Sequence, residues 1–324
     1  MTPLVSICIP TFRRAEQLKP TLDRLAGVLA EGGWSDKIEV CISDNASPDE
    51  TPNVIAAFQP QGIVVKKFRQ SENVGFSRNL QTVSRMASGE YFLFQGDDDA
   101  LAGGVCATLT RATAERPVVA LFPTLPDQPM DGDWDARKIE RWFANGSELT
   151  RVLGLFHLTF LGNFIVRREP YLAHDQGEFC ASLYPHVVVL LRILAKERSW
   201  WVPEPLFEFE EQFKSWNQPL LTAVDITRVY TDELLAPTQD RAFAREFYNR
   251  TVRSIPRAFL NRKLGRPDEP GNKYQSLALS NLLACYRCSK KHQFIAFAYW
   301  LAGTILPAFA LRALLGEKPK KVQF

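Results

Sequence analysis

The chain has no strong charge of either sign, no glycine-rich phosphate loop and no second pair of closely spaced cysteines. Its formal net charge of +3 over 324 residues is too small to argue for a nucleic-acid partner. Neither G-x-G-x-x-G nor G-K-[ST] occurs, so dinucleotide and P-loop readings have no support. The six cysteines, Cys8, Cys41, Cys106, Cys180, Cys285 and Cys288, are widely scattered, which fits reduced thiols better than a disulfide framework. Cys285-x-x-Cys288 with nearby His292 falls short of the four ligands a structural zinc site needs. Met1-Thr-Pro-Leu-Val-Ser-Ile has no basic region followed by a long apolar run, so no secretory signal is expected and a cytoplasmic location is. No internal repeat or low-complexity stretch is visible.

What is present is an ordinary globular composition, 46% hydrophobic and 23% charged, arranged as alternating strand and helix signals. Residues 4–9 read as a buried strand closed by Pro10. Helical spacing follows over 15–31 until Gly32-Gly33 stops it. Strands are expected at 38–43, 62–68, 90–95 and 118–122, and helices at 51–58, 77–87 and 104–114. Such alternation predicts an α/β fold, a mostly parallel sheet covered by helices on both faces. Residues 123–148, rich in Pro and Asp, are expected to form an irregular loop. A helix at 182–197 and an extended stretch at 200–209 would complete a first domain over 1–215.

In a parallel sheet, ligands bind beyond the carboxyl ends of the strands. The polar clusters Thr11–Arg14, Asp44–Ser47 and Asp97–Asp99 fall there. Three adjacent carboxylates repel one another, so a fold carries them at low cost only in water or around a cation. Mg²⁺ or Mn²⁺ accepts such hard oxygen ligands and usually holds substrate phosphates as well. A solvated acidic turn is the alternative.

From about residue 216 the pattern changes to helices without intervening strands, at 220–236, 239–254, 273–288 and 292–315. Residues 294–311 carry no charge and are flanked by Lys290, Lys291 and Arg312. That length is at the short edge for a bilayer span. Pro307 and the basic flanks suit an interfacial helix on anionic lipid; a buried core helix and a true span are the alternatives.

Four segments in order, Ile9-Pro-Thr-Phe-Arg-Arg14, Ile42-Ser-Asp-Asn-Ala-Ser47, Glu72-Asn-Val-Gly-Phe-Ser-Arg-Asn79 and Gly89-Glu-Tyr-Phe-Leu-Phe-Gln-Gly-Asp-Asp-Asp99, resemble the successive motifs of family 2 glycosyltransferases with the GT-A fold. The resemblance covers residues 4–101 and returns faintly at 182–209. It implies an inverting, metal-dependent transfer of a sugar from a nucleoside diphosphate to a hydroxyl acceptor. It also implies that Pro10, Thr11, Phe12, Arg14, Asp44, Asn45, Asn73, Gly75, Arg78, Asn79 and Asp97 face the nucleotide-sugar. Gly96 stands where the family usually has its first acid. Asp98 and Asp99 are therefore the expected ligands of Mn²⁺ or Mg²⁺, with Asp98 foremost. In register with Arg192, His186 stands where the family places its base; Asp175 and Glu178 are rivals for that role. Trp200, Trp201 and Trp216 are either acceptor platforms or core.

The Gly-Asp-Asp-Asp sequence and His186 are similar to an abequosyltransferase-like subgroup that builds bacterial surface polysaccharide on lipid-linked acceptors. Two alternatives remain at this level: a nucleotidylyltransferase-type enzyme on a similar sheet, or a non-catalytic scaffold that keeps the fold.

Overall fold

The computed structural model describes residues 2–123, 138–154, 157–175, 177, 182, 184–208, 219–249, 251 and 279–305. Glu178, Cys180, Trp216 and residues 306–324 lie outside that set.

The first half is built on four parallel strands. β1 (Val5–Thr11) and β2 (Ile38–Asp44) are buried along their whole length, as strands covered on both faces must be. β3 (Val64–Arg69) lies on one edge, and β4 (Tyr91–Phe94) lies on the other side of β1. The connecting helices are α1 (Ala15–Glu31), α2 (Thr51–Ala57) and α3 (Phe76–Met86). α1 buries Leu18, Leu22, Leu25 and Leu29, the four residues whose spacing predicts its inner face.

After β4 a two-residue strand, β5 (Ala100–Leu101), leads into α4 (Val105–Ala114). The sheet then becomes mixed. β6 (Val119–Leu121) does not extend the parallel series directly. It pairs antiparallel with β8 (Phe164–Arg167), and β8 in turn pairs antiparallel with β4. β7 (Arg141–Phe143) and β9 (Ser199–Trp201) complete the order β3-β2-β1-β4-β8-β6-β9-β7, while β10 (Phe207–Glu208) pairs with β5. Three short helices pack in this half: α5 (Gly146–Leu153), α6 (Arg168–His174) and α7 (Pro185–Leu194).

The expected loop over 123–148 thus contains β7 and the start of α5. These strands of three or four residues are too short to show a period. Trp200 and Trp201 are core residues: both are buried, and Trp142 stacks on Trp200 with ring centroids 6.2 Å apart. They are not open platforms for a sugar.

The chain divides into two compact units, Met1–Glu210 and Glu211–Phe324. The second is helical among its described residues. α8 (Pro219–Tyr230) continues through a π-helical turn, Thr231–Leu235, into Ala236–Thr238. α9 covers 241–249, α10 Leu279–Cys285 and α11 Lys290–Ile305. Tyr248 packs edge-on against Tyr286, and Thr231 Oγ1 donates to the Cys285 carbonyl at 2.7 Å.

A buried carboxylate ties the amino-terminal edge of the sheet together. Glu39, on the second residue of β2, accepts from Ser6 Oγ at 2.6 Å and Ser88 Oγ at 2.9 Å, and pairs with Lys66 Nζ at 2.8 Å. Burial alone would raise its pKa; the bonds from Lys66, Ser6 and Ser88 outweigh that and hold it below the usual carboxylate range. A depressed carboxylate adds stability that is present above the unfolded pKa and is lost as pH falls through the folded one. Removing one partner of such a group leaves the others unmatched. Glu39→Ala is expected to cost about 3 kcal/mol, seen as a Tm lower by roughly 6–12 °C. Because Glu39 lies at the sheet edge opposite the polar clusters, ligand binding there is expected to survive the substitution at temperatures where the fold persists.

Candidate functional site

The site follows from strand register. Thr11 and Asp44 are direct neighbours at the carboxyl ends of β1 and β2, and Asp44 is in turn paired with Arg69 at the end of β3. On the other side, the Gln95 amide donates to the Cys8 carbonyl at 3.0 Å, which carries β4 up beside β1 and delivers residues 96–99 next to Thr11. Thr11 Oγ1 then donates to Asp97 Oδ2 at 2.7 Å. The ladder therefore lines up Arg69, Asp44, Thr11 and Asp97 across one edge.

Asp44 is almost fully buried. Its Oδ1 accepts from the Ser47 amide at 3.0 Å and so shapes the turn after β2. Its Oδ2 lies 3.2 Å from Arg69 Nε but has no aligned hydrogen bond. A buried carboxylate oxygen with charge balance and an open acceptor position suits an incoming N–H donor. Arg69 also donates to the Ser47 carbonyl at 3.0 Å. Sequence reasoning missed Arg69, because the expected strand stops at Phe68; the available signal was that β2 and β3 both end in a charged residue of opposite sign.

The third motif forms a fixed support. Asn45 Nδ2 donates to Asn73 Oδ1 at 2.8 Å, and Asn73 Oδ1 also accepts from the Gly75 amide at 2.9 Å. Gly75 has φ +84°, a left-handed backbone that a side chain would strain. This turn starts α3. Asn79 is buried and locks α3 onto β2 in both directions: Ser43 Oγ donates to Asn79 Oδ1 at 2.7 Å, and Asn79 Nδ2 donates to the Ser43 carbonyl at 2.9 Å. Asn79 thus positions the helix, while Arg78, one residue earlier, is exposed in its first turn. Pro10 is buried, Phe12 is half-buried, and Arg13 has φ +57°.

The aspartates divide their orientations. Asp97 Oδ1 lies 3.8 Å from Arg14 Nε, and Asp98 Oδ2 lies 3.7 Å from Arg14 Nη1. Two carboxylates thus face one guanidinium without a hydrogen bond between them. Asp99 turns back instead. Its Oδ2 accepts from the Gly96 amide at 3.1 Å, and Gln95 Nε2 caps the Asp99 carbonyl at 2.8 Å. A Cβ on residue 96 would collide with this carboxylate, so the turned Asp99 relies on glycine at 96. The expected pairing of Asp98 with Asp99 is not the arrangement seen here; Asp98 stands with Asp97. No group of three His, Cys, Asp or Glu side chains converges on one point among the described residues.

Burial raises both inner carboxyls, Asp97 to about 6 and Asp99 to about 7, with repulsion from Asp98 adding to each. The Thr11 bond and the Arg14 charge pull Asp97 back down.

Two candidate bases, His186 and Asp175, are among the described residues. His186, in the first turn of α7, is buried, with its ring parallel to Phe164 at 6.2 Å between centroids. Burial pushes its pKa down to about 4, against the pull of the backbone at Thr159 and Leu158. It is neutral at pH 7 and enclosed. Asp175, at the end of α6, accepts from Gln81 Nε2 at 2.7 Å, and its Oδ2 lies 3.9 Å from Arg85 Nε. It lines a small open cleft with Ser77, Leu80, Gln81, Tyr171 and Val189. Glu178 falls outside the described residues.

The family described as Glycosyl transferase family 2 matches residues 6–173. An abequosyltransferase of Salmonella typhimurium is 28% identical over 211 residues, covering 59% of this chain and 61% of the relative. The GalNAc(5)-diNAcBac-PP-undecaprenol beta-1,3-glucosyltransferase of Campylobacter jejuni is 30% identical over 114 residues, 35% of each chain. The chain thus spans less than two thirds of the length of either curated relative. A mannosyltransferase from Pyrobaculum calidifontis, solved with GDP-Man and Mn²⁺, superimposes with a TM-score of 0.58 over 98% of this chain and 89% of its own, at 16% identity; that likeness speaks to the fold.

The raised carboxyls set a testable pH dependence. Between the unfolded value of 3.8 and the folded values of about 6 and about 7, the folded chain holds protons that the unfolded chain releases. Stability of the metal-free protein is therefore expected to fall as pH rises from about 4 to about 7. Asp99→Asn keeps an acceptor for the Gly96 amide and removes the charge. It is expected to raise Tm at pH 8 by about 4 °C and to flatten the upper part of the pH profile, measured by thermal unfolding across pH.

Proposed function

The chain belongs to glycosyl transferase family 2, and on that premise we propose that it moves a sugar from a nucleoside diphosphate to a hydroxyl of a lipid-linked glycan in bacterial surface polysaccharide synthesis. One observation carries this reading: the aligned ends of β1, β2 and β4 put an open Asp44 oxygen, Thr11 and the Asp97–Asp98 pair side by side. That row matches the donor in chemistry, with an N–H of the base at Asp44 and the diphosphate near Asp97, Asp98 and Arg14.

The residues suit a divalent ion. Asp97 Oδ1 and Asp98 Oδ2 face a common positive charge, Arg14, and two carboxylates completed by substrate phosphates form the kind of oxygen set Mg²⁺ and Mn²⁺ use. Such an ion would neutralise charge on the leaving diphosphate. Arg14 can then pair with a phosphate oxygen. Asp44 and Asn45 orient the base and ribose, Asn73, Gly75 and Asn79 hold α3, and Arg78 faces the donor from its first turn. Transfer with inversion needs one base on the acceptor side. A buried imidazole with a pKa of about 4 is a weak one, so that task falls to the carboxylates between α6 and α7, Asp175 or Glu178. His186 then serves as packing for Phe164. The Campylobacter relative carries an undecaprenol-linked glycan in its name, which favours a lipid-carried acceptor.

Donor turnover tests the assignment. With Mn²⁺ and a panel of UDP-, GDP-, dTDP- and CDP-sugars, one nucleotide class is expected to be consumed. Asp98→Asn is expected to lower that rate by roughly 100-fold or more, the scale of losing a positioned charge at the transition state. His186→Ala is expected to retain turnover, whereas Asp175→Asn or Glu178→Gln loses it. Full activity of Asp98→Asn would overturn the metal assignment, and loss confined to His186→Ala would return the base to His186.

A further inference from the structure

The described part of α11 has two unlike sides. Its inner side holds His292 and Ala296, both buried. His292 Nε2 bonds Asn249 Oδ1 at 2.9 Å, and its Nδ1 bonds Ser289 Oγ at 2.7 Å. These bonds fix which way the helix faces. The outer side carries Phe294, 71% exposed, Leu301, 38%, and Ile305, 67%. Ala298 is exposed between them. This spacing repeats every three or four residues, so the four lie on one stripe, about 17 Å long at the rise of a helix. Lys290 and Lys291, both exposed, stand at its start.

The sequence around the stripe is charged in one sense only. Between Glu269 and Glu317 there is no acidic residue, while Lys273, Arg287, Lys290, Lys291 and Arg312 are basic. The whole chain has a net charge of only +3, so the excess is concentrated here.

We infer that this side of α11 lies on an anionic lipid surface. The helix runs in the plane of the membrane, Phe294, Leu301 and Ile305 enter the boundary between headgroups and acyl chains, and Lys290 and Lys291 meet the lipid phosphates. Charge selects this occupant over others. Pairing with a second copy would bring two wholly basic segments together, and a neutral apolar groove would leave the lysines without counter-charge. Lying in the plane also fits the length: no described helix is long and apolar enough to cross a membrane. The surface deepens the proposed function and rests on it for its purpose, which is to keep the enzyme where a lipid-linked acceptor is found.

Flotation of the full chain with phosphatidylcholine vesicles, with and without phosphatidylglycerol, tests the inference. The wild type is expected to float with the phosphatidylglycerol vesicles and to be released by salt. Phe294→Ser with Ile305→Ser is expected to weaken that binding by roughly tenfold or more, with nucleotide affinity and Tm unchanged because both side chains are exposed. Lys290→Glu with Lys291→Glu is expected to remove the preference for phosphatidylglycerol. Wild type that stays with the soluble fraction, or a serine variant that floats as well as wild type, would overturn the inference. So would a dimer in light scattering that the serine variant dissolves, which would assign the stripe to a second copy. Nucleotide binding without vesicle binding defeats this inference alone; vesicle binding without nucleotide binding defeats the proposed function alone.

Discussion

Parallel pairing makes strands end on a common edge, and the site depends on that constraint. β1 sits between β2 and β4 in parallel register. A residue just past each strand therefore arrives at the same height as its neighbours. Asp44 and Thr11 are ladder partners, and Asp97 reaches Thr11 by a 2.7 Å hydrogen bond. No long loop is needed to gather them. A one-residue slip in the β1–β2 ladder would turn Asp44 to the opposite face and separate it from the rest. The apolar burial of both strands fixes the register, so the stability of the core and the geometry of the site share one origin.

The same edge concentrates charge. Burial, with the neighbouring Asp98 charge, raises the pKa of Asp97 and Asp99, and the fold spreads the three carboxylates out. Asp99 turns onto the Gly96 amide, Asp97 takes the Thr11 hydroxyl, and Asp98 remains exposed beside Arg14. Arg14 supplies positive charge from 3.7–3.8 Å, close enough to balance and too far for a hydrogen bond. Such loose pairing leaves both the arginine and the carboxylates free to take new partners. The opposite end of the sheet is handled differently: Glu39 is tied by several short bonds to Ser6, Ser88 and Lys66. Satisfaction is tight at the end held by Glu39 and incomplete at the end that carries Asp44, Asp97 and Asp98.

Much of this was legible from residues alone, because long periodic segments carry their own signal. The span 15–31 for α1 agrees with the structure, and β1, β2 and β4 lie within a residue or two of their expected bounds. The clustering of Thr11, Asp44 and Asp97 followed from those strands being parallel. What was not legible depends on pairing between distant segments. β8 is four residues long, and nothing local marks its insertion between β4 and β6. The role of Arg69 appears only once β3 is paired with β2. The split between Asp98 and Asp99 arises from a backbone turn that Gly96 permits, and the sequence registers only that an acid is missing there. His186 stands in register with the family's base; its burial against Phe164 comes from packing and is not legible locally.

The central claim is that the β1–β2–β4 edge binds a nucleoside diphosphate with the help of a divalent ion. Calorimetric titration of the full chain with UDP, GDP, CDP and dTDP, each with and without Mn²⁺, tests it most directly. One of the four is expected to bind, at least about tenfold more tightly with Mn²⁺ present, a difference of ~1.4 kcal/mol. Absence of binding by all four with Mn²⁺ present, or equal affinity with and without the ion, would contradict the account.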